Sequence, residues 1–172
     1  MASWTGTAGI VGTSAALVAG VALALVAAGQ AGAFAGKPPP DLGVHQGRLK
    51  PPSATRNSVS SQAQQYPGEA AQYARIDPLR FDGAAGEAMA RLQGIVVSMP
   101  GAHLVESGPD YTYVQFSTRW LGFVDDAEFF ATPATGQIEL RSASRLGSED
   151  FGVNRKRIEA IRARFEARIT HP

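Results

Sequence analysis

Hydrophobic residues form one long run near the start of the chain and shorter periodic groups after residue 80. The first 36 residues contain no Lys, Arg, Asp, Glu or His, and the run from Ala8 to Ala28 is rich in Ala, Val and Leu. As a helix this run would be roughly 31 Å long, about the thickness of the hydrocarbon core of a bilayer. The pattern therefore predicts a membrane helix within residues 1–35.

This N-terminal region is either a retained membrane anchor or a cleaved signal peptide. Ala31-Gly-Ala33 and Ala33-Phe-Ala35 both fit a cleavage site, but no Lys or Arg precedes the apolar run, as it would in a signal peptide. We favour the retained anchor, with a cleaved and secreted form as the alternative. Lys37, Arg48 and Lys50 follow the run, and the positive-inside rule alone would then leave the domain in the cytoplasm.

Residues 36–62 have the composition of a Pro-rich spacer followed by an irregular arm. Gly36-Lys-Pro-Pro-Pro40 cannot continue a helix, because proline lacks an N–H and fixes φ. The polar run from Asn57 to Gln62 favours turns, because Ser and Asn side chains bond their own backbone. We expect a stiff extended spacer and then a turn-filled loop, which is either solvated or in contact with a ligand.

The periodicity of residues 63–172 predicts a small α+β domain. One apolar stripe predicts a helix over 83–99, and Ile158, Ile161, Phe165 and Ile169 form the stripe of a second helix over 152–169. Alternating apolar and polar residues predict strands over 103–106, 111–118, 123–130 and 137–145. Because the connections are short, we expect a four-stranded antiparallel sheet with both helices on one face.

Composition excludes several kinds of site. The chain has no Cys, so it has no thiolate nucleophile and no Cys-metal site. Its three histidines are far apart, and no nucleotide, hydrolase or zinc motif occurs, so we expect no metal and no cofactor. The net charge of +1 gives no reason to expect nucleic-acid binding, and the basic helix from Arg155 to Arg168 is typical of a solvated outer face.

Polar residues interrupt the apolar face shared by the last two strands. Matching their apolar residues sets Asp125 opposite Ser142, whereas a slip of two residues would set it opposite Ser144. In either register a carboxylate lies on the buried side and needs hydrogen-bond donors. Asn154 lies on the inner stripe of the last helix, one turn before Ile158, so its amide should point at the same region.

Three interpretations of this polar cluster stay open. It is a structural hydrogen-bond network, a small-ligand pocket, or a catalytic group in which Asp125, Ser142 and Arg145 act together. The candidate ligand-binding residues are Asp125, Ser142, Ser144, Arg145, Asn154 and Arg155.

Several runs of the sequence resemble domain-of-unknown-function family 1499. They are Asn57-Ser-Val-Ser-Ser61, Phe123-Val-Asp-Asp126, Arg-Ser-Ala-Ser-Arg-Leu-Gly over 141–147 and Asp-Phe-Gly-Val-Asn-Arg-Lys-Arg-Ile-Glu over 150–159. The resemblance covers residues 38–169. It implies relatives in bacteria and plant chloroplasts, and it implies no established activity.

One departure from the family bears on the compartment. Relatives that this chain resembles commonly carry Cys at the positions of Pro52 and Ser58, which suggests that the pair forms a disulfide in them. A disulfide would favour an oxidising compartment outside the cytoplasm, and we prefer this indication to the positive-inside rule.

Together these patterns predict a membrane-tethered envelope protein, with its domain in the periplasm, whose domain is a non-catalytic binding or assembly module. The alternative is a small hydrolase or acid-base enzyme built on Asp125, Ser142 and Arg145. The expected partners are the membrane, through the N-terminal helix, and an unidentified protein or small ligand.

Overall fold

The computed structural model describes the backbone of residues 6–167 and the side chains of residues 14–167. The helices in this range are α1 (Gly6–Gln30), α2 (Glu69–Ala74), α3 (Ala85–Val97) and α4 (Val153–Ala167). The strands are β1 (Ser58–Ser60), β2 (Leu79–Arg80), β3 (Ala102–Ser107), β4 (Tyr111–Ser117), β5 (Val124–Thr132) and β6 (Gln137–Ser144). The predicted end of the last helix at Ile169 lies outside the described residues.

The six strands form one antiparallel sheet in the order β1, β6, β5, β4, β3, and β2 pairs with β6 next to β1. The α+β class and the antiparallel β5–β6 hairpin are as predicted, and β3 to β6 are the four predicted strands. The prediction of only four strands is wrong, because β1 and β2 add to the free edge of β6.

Strand β1 comes from the polar run that the sequence predicts to be a turn-filled loop. Its pairing leaves the Ser58 hydroxyl buried, where it accepts a hydrogen bond from the Ser53 N–H (2.9 Å). At the end of β6, the Ser144 N–H donates to the Asn57 carbonyl (3.0 Å). The edge of a sheet offers backbone partners that outcompete local side-chain bonding, and no local pattern reveals them.

The register of the β5–β6 hairpin differs by two residues from the one that best matches apolar faces. Asp125 pairs with Ser144, which is the slipped alternative, and not with Ser142. The hairpin closes through a 3-10 turn over Pro133–Thr135 followed by Gly136, whose φ of 62° suits a glycine. The turn therefore sets the register.

Helices α3 and α4 pack against each other and against one face of the sheet, as predicted. Apolar side chains from both helices and from the strands share one buried cluster, which includes Met89, Leu92, Val114, Phe129, Leu140, Ile158, Ile161 and Phe165. Burial of this cluster is the main term that stabilises the domain.

The irregular arm covers the opposite face of the sheet. The Gly43 N–H donates to Glu128 Oε1 (2.7 Å), and Arg141 Nε donates to the Pro51 carbonyl (3.1 Å). Leu49 is buried. The sheet is consequently covered on both faces, by helices on one side and by extended chain on the other.

The predicted N-terminal helix is present as α1, but its prediction as a membrane-spanning segment is not supported. No helix in the described part of the chain is both long and apolar enough to cross a membrane. The part of α1 whose side chains are described, residues 14–30, is rich in Ala, which carries little apolar surface. At its end, Gln30 Nε2 donates to the carbonyls of Arg119 and Trp120 (3.0 Å each).

Candidate functional site

Strands β5 and β6 and the start of α4 bring four of the predicted residues together. The Ser142 hydroxyl donates to Asn154 Oδ1 (2.5 Å), and Asn154 Nδ2 donates to the Ser144 hydroxyl (3.1 Å). Asn154 is 0% exposed, and Asp125 beside it is 6% exposed. The predicted cluster therefore exists, and its polar groups satisfy one another as buried polar groups require.

Arg157 links the two halves of this cluster and was not among the predicted residues. Its Nη2 donates to Asp125 Oδ2 (2.6 Å), and its Nη1 donates to Asn154 Oδ1 (3.0 Å). The guanidinium also lies 4.6 Å from the centre of the Phe116 ring. The sequence does contain a signal for Arg157, because it follows Asn154 by three residues and so lies on the same side of the helix.

Asp150 joins the cluster to the first turn of α4, and it too was missed. Its carboxylate accepts hydrogen bonds from the backbone N–H groups of Gly152 (2.9 Å) and Asn154 (3.0 Å), and from the Tyr73 hydroxyl (3.0 Å). Burial by itself raises the pKa of Asp150, but these bonds and one from the Asn154 amide outweigh it and hold the pKa below its usual value. Asp150 is therefore a charged cap of α4.

Asn57 holds the strand edge against this cluster. Its amide donates to the Gly147 carbonyl (2.6 Å), and its own carbonyl accepts from Asn154 Nδ2 (3.4 Å). The polar run that contains Asn57 predicts a loop, solvated or in contact with a ligand, and does not by itself assign Asn57 to this cluster. Its position beside Asn154 depends on the pairing of β1 with β6, which the sequence did not predict.

Arg145 and Arg155 do not lie in the cluster. Strand alternation places Ser144 inward and Arg145 on the opposite face of the sheet, where its Nε and Nη2 bond both oxygens of Asp126 (2.9 and 2.7 Å). This carboxylate raises the pKa of Arg145. Arg155 turns to the side of α4 and donates to the carbonyls of Tyr73 (2.5 Å) and Arg75 (2.9 Å).

A second charged pair is buried on the arm side of the sheet. Glu128 and Arg141 face each other across β5 and β6 with Nη1 and Oε2 3.7 Å apart, and these two atoms have no hydrogen-bond partner in the described structure. Burial raises the pKa of Glu128, although bonds from Gly43 and Tyr111 oppose the shift. Burial likewise lowers the pKa of Arg141.

A pocket of about 350 Å³ lies beside the first cluster, between the open end of the β5–β6 hairpin and the start of α4. Its polar lining includes Asp125, Ser144 and Asp150, and its apolar lining includes Phe123, Leu146, Phe151 and Val153. The Ser144 hydroxyl accepts a hydrogen bond from the Asn154 amide, and within the described residues it donates a hydrogen bond to no group. Its proton is therefore available to a ligand.

The structure does not assemble the predicted catalytic group of Asp125, Ser142 and Arg145. Ser142 is fully buried and gives its proton to Asn154, so it has neither the exposure nor the base that a nucleophile needs. Arg145, the third member of the predicted catalytic group, lies across the sheet from Asp125 and Ser142. Over the residues that the structure describes, no three His, Cys, Asp or Glu side chains are grouped as metal ligands.

The chain was compared with family models, curated proteins and solved structures. No curated protein and no solved structure matches it significantly. One family model, described as a protein of unknown function (DUF1499), matches residues 48–165 and so includes both clusters and the whole sheet. The chain belongs to this family of proteins of unknown function, DUF1499.

Proposed function

We propose that the domain is a non-catalytic binding module whose ligand occupies the pocket at the open end of the β5–β6 hairpin. The observation that carries the proposal is the pairing of an apolar, partly exposed lining with a polar wall that still has a free donor on Ser144. Pockets of a few hundred Å³ with mostly apolar linings and a few oriented polar groups are typical of small-molecule sites.

The hydrogen bonds behind the pocket support its role as a preformed site. Asn154, Arg157 and Asp150 hold the wall in one geometry through bonds among buried groups. A ligand that enters such a site loses little free energy to ordering of the protein.

A neutral apolar dye, Nile red, tests the site without knowledge of the natural ligand. Its fluorescence should rise on titration with the full chain, and Val153→Ser should weaken this binding. Val97→Ser is the matched control, since Val153 and Val97 are 44% and 50% exposed and Val97 lies on α3 outside the pocket. Equal dye binding by the two variants would contradict the proposal.

We also propose that α1 tethers the domain to a lipid surface. The support is its exposed aliphatic surface: Leu17, Val18 and Leu23 are each 70% exposed, and no charged residue occurs in the helix. The full chain should float with phosphatidylcholine vesicles, and Leu17→Ser with Leu23→Ser should abolish flotation. Val97→Ser with Val105→Ser removes two exposed apolar residues elsewhere and should leave flotation unchanged.

The extracytoplasmic location is likewise a proposal. Its support is the pair of positions, Pro52 and Ser58, at which the relatives that this chain resembles commonly carry Cys. The two positions lie close together, since Ser58 Oγ is 2.9 Å from the backbone N of Ser53, the residue after Pro52. Because the chain has no Cys, an Ala134→Cys variant carries a single thiol, at an exposed position of the β5–β6 turn and away from the pocket. A membrane-impermeant maleimide should label it in intact bacterial cells, and labelling only after lysis would refute the location.

A further inference from the structure

Exposed apolar side chains collect at the open end of the β5–β6 hairpin. Trp120, Phe123, Leu146, Phe151 and Val153, here called the apolar end, are all more than a third exposed. Four of them line the pocket, and Trp120 lies on the adjoining loop. A concentration of this kind around one opening marks an interaction surface.

Phe151 is the most exposed residue of the apolar end and the one whose side chain the fold needs least. It is 83% exposed, so its ring contributes little to the core. Its φ of 50° lies in the left-handed region, which Gly or Asn adopts more easily than a bulky residue. Strain of this kind persists where function requires the side chain. The ring is therefore expected to contact something outside the domain.

Helix α1 joins the domain at this same end. Gln30 bonds the Arg119 and Trp120 carbonyls, and the Phe34 ring stacks on Phe123 with centroids 5.4 Å apart. The junction is tight, because a Cβ on Gly29 would lie 2.4 Å from the Leu121 carbonyl oxygen. The surface of α1 is therefore continuous with the apolar end.

The distribution of exposed residues around α1 identifies the kind of partner. At roughly 100° per residue, Leu17, Val18 and Leu23 point to three different sides of the helix. A protein groove covers a single apolar face of a helix, and α1 has no such single face, so a lipid surface can receive it in any rotation about its axis. Beside the C-terminal end of α1, the Arg119 guanidinium lies 5.0 Å from the centre of the Trp120 ring. Amphipathic side chains such as these favour the boundary between lipid and water.

We propose that the apolar end docks on a lipid bilayer, with Trp120 and Phe151 entering its interface, so that the pocket opens at the membrane surface. This inference rests on the proposed tether and deepens it. The charged side chains that line the pocket, Asp125, Glu149 and Asp150, are all acidic. Docking therefore depends on apolar burial and proceeds on phosphatidylcholine, which has no net charge, with little effect of salt.

Quenching of tryptophan fluorescence by brominated lipid tests the docking directly. The chain has two tryptophans, so Trp4→Phe leaves Trp120 as the sole reporter in the full chain. On vesicles of phosphatidylcholine brominated in its acyl chains, Trp120 emission should shift to the blue and be quenched relative to unbrominated vesicles. Adding Phe151→Asn should reduce the quenching, while Leu17 and Leu23 stay in place to hold the chain on the vesicles.

A tryptophan at the far end of the same hairpin is the control. Ala134 is exposed in the β5–β6 turn, which the nine residues of β5 separate from the apolar end by roughly 30 Å. With both natural tryptophans replaced by Phe, Ala134→Trp should not be quenched.

The outcomes separate docking from tethering. Vesicle-bound chain with unquenched Trp120 overturns the docking and leaves the tether intact. Equal quenching at positions 120 and 134 also overturns it, because the whole domain would then be immersed. A chain that does not bind vesicles at all overturns both docking and tether, while Nile red binding still reports on the pocket by itself.

Discussion

Asn154 shows how much one polar side chain on an apolar stripe can organise. It lies one turn before Ile158, where Leu would fill the same space, yet its amide bonds Ser142, Ser144 and Asp150. These bonds join β6, the turn before α4 and the helix itself. The amide therefore specifies how α4 docks, at the cost of apolar burial.

Replacing Asn154 by Leu should lower the free energy of unfolding by about 1–3 kcal/mol, because its buried partners are left without a mate. Urea denaturation measures the change. Ile158→Leu, on the same stripe and with no hydrogen bond to lose, should cost less. Equal effects of the two variants would mean that packing and not hydrogen bonding holds the helix.

Asp125 and Asn154 should be coupled, because both bind the Arg157 guanidinium. Asp125→Asn and Asn154→Leu together should depart from additivity by about 0.5–3 kcal/mol in a double-mutant cycle. Strictly additive losses would show that Arg157 does not connect the two groups. An Asp125→Asn variant that keeps full stability but loses Nile red would place the carboxylate with the ligand and not with the fold.

At the scale of elements, α4 begins on a carboxylate cap that titrates. The folded-state pKa of Asp150 lies below its usual value, so the cap stabilises the fold above the unfolded pKa of about 3.9 and loses its contribution as pH falls through the folded pKa. The groups that face this carboxylate are Tyr73, Asn154 and the backbone of Gly152.

Asp150→Ala should destabilise the domain by about 0.5–2 kcal/mol at pH 6, the usual cost of losing a helix cap. The difference from the unmodified chain should shrink as pH falls below about 3.9, because protonation removes the charge that the cap uses. Urea denaturation at a series of pH values measures it. Glu159→Ala, at an exposed position of the same helix and outside the cap, should cost less at pH 6.

The junction between α1 and the 118–123 loop depends on a close backbone approach. A Cβ at Gly29 would meet the Leu121 backbone at 2.4 Å, whereas one at Gly20 meets nothing within 4 Å. Gly29→Ala should therefore open the junction and raise amide hydrogen exchange at Gly122, whose N–H bonds the Thr118 carbonyl. Gly20→Ala is the matched control, and faster exchange in both variants would reject the steric explanation.

At the scale of the whole molecule, one sheet separates an apolar core from a second, charged layer under the arm. The helix side contains the hydrophobic cluster, and the arm side contains the Arg145–Asp126 and Arg141–Glu128 pairs. Buried ion pairs contribute little net stability, but removal of one partner leaves a costly unpaired charge. The arm is therefore held by charged side chains whose single replacement destabilises the fold.

Arg141→Met should cost about 3–5 kcal/mol, because Glu128 would stay buried without its counter-charge. Adding Glu128→Gln should recover most of this loss, since the amide oxygen can still accept from Gly43 and Tyr111. Chemical denaturation of the single and double variants measures the recovery. Arg56→Met, which removes an exposed pair with Glu149, should cost at most about 1 kcal/mol. No recovery in the double variant would indicate that Arg141 acts through its bond to Pro51.

Local patterns of the sequence were enough for the elements that bury an apolar stripe. The 3.6-residue period predicts α3 and α4, and alternation predicts β3 to β6, because each pattern reports directly which side of an element avoids water. The same alternation places Asp125, Ser142 and Ser144 on the buried face, and the helical stripe adds Asn154. Four of the six predicted site residues follow from this rule alone.

Tertiary structure decided what depends on partners far away in the sequence. The edge of β6 turned a polar loop into β1 and so brought Asn57 to Asn154, and the turn at Gly136 chose the register that sets Asp125 beside Ser144. The arm folded onto the sheet because buried charges on β5 and β6 needed backbone partners, which no local pattern encodes. The pocket exists only where the hairpin, the 118–123 loop and the start of α4 meet. A sequence states the preference of each segment for water or for the interior, whereas the identity of the neighbour is settled by the free energy of the assembled fold.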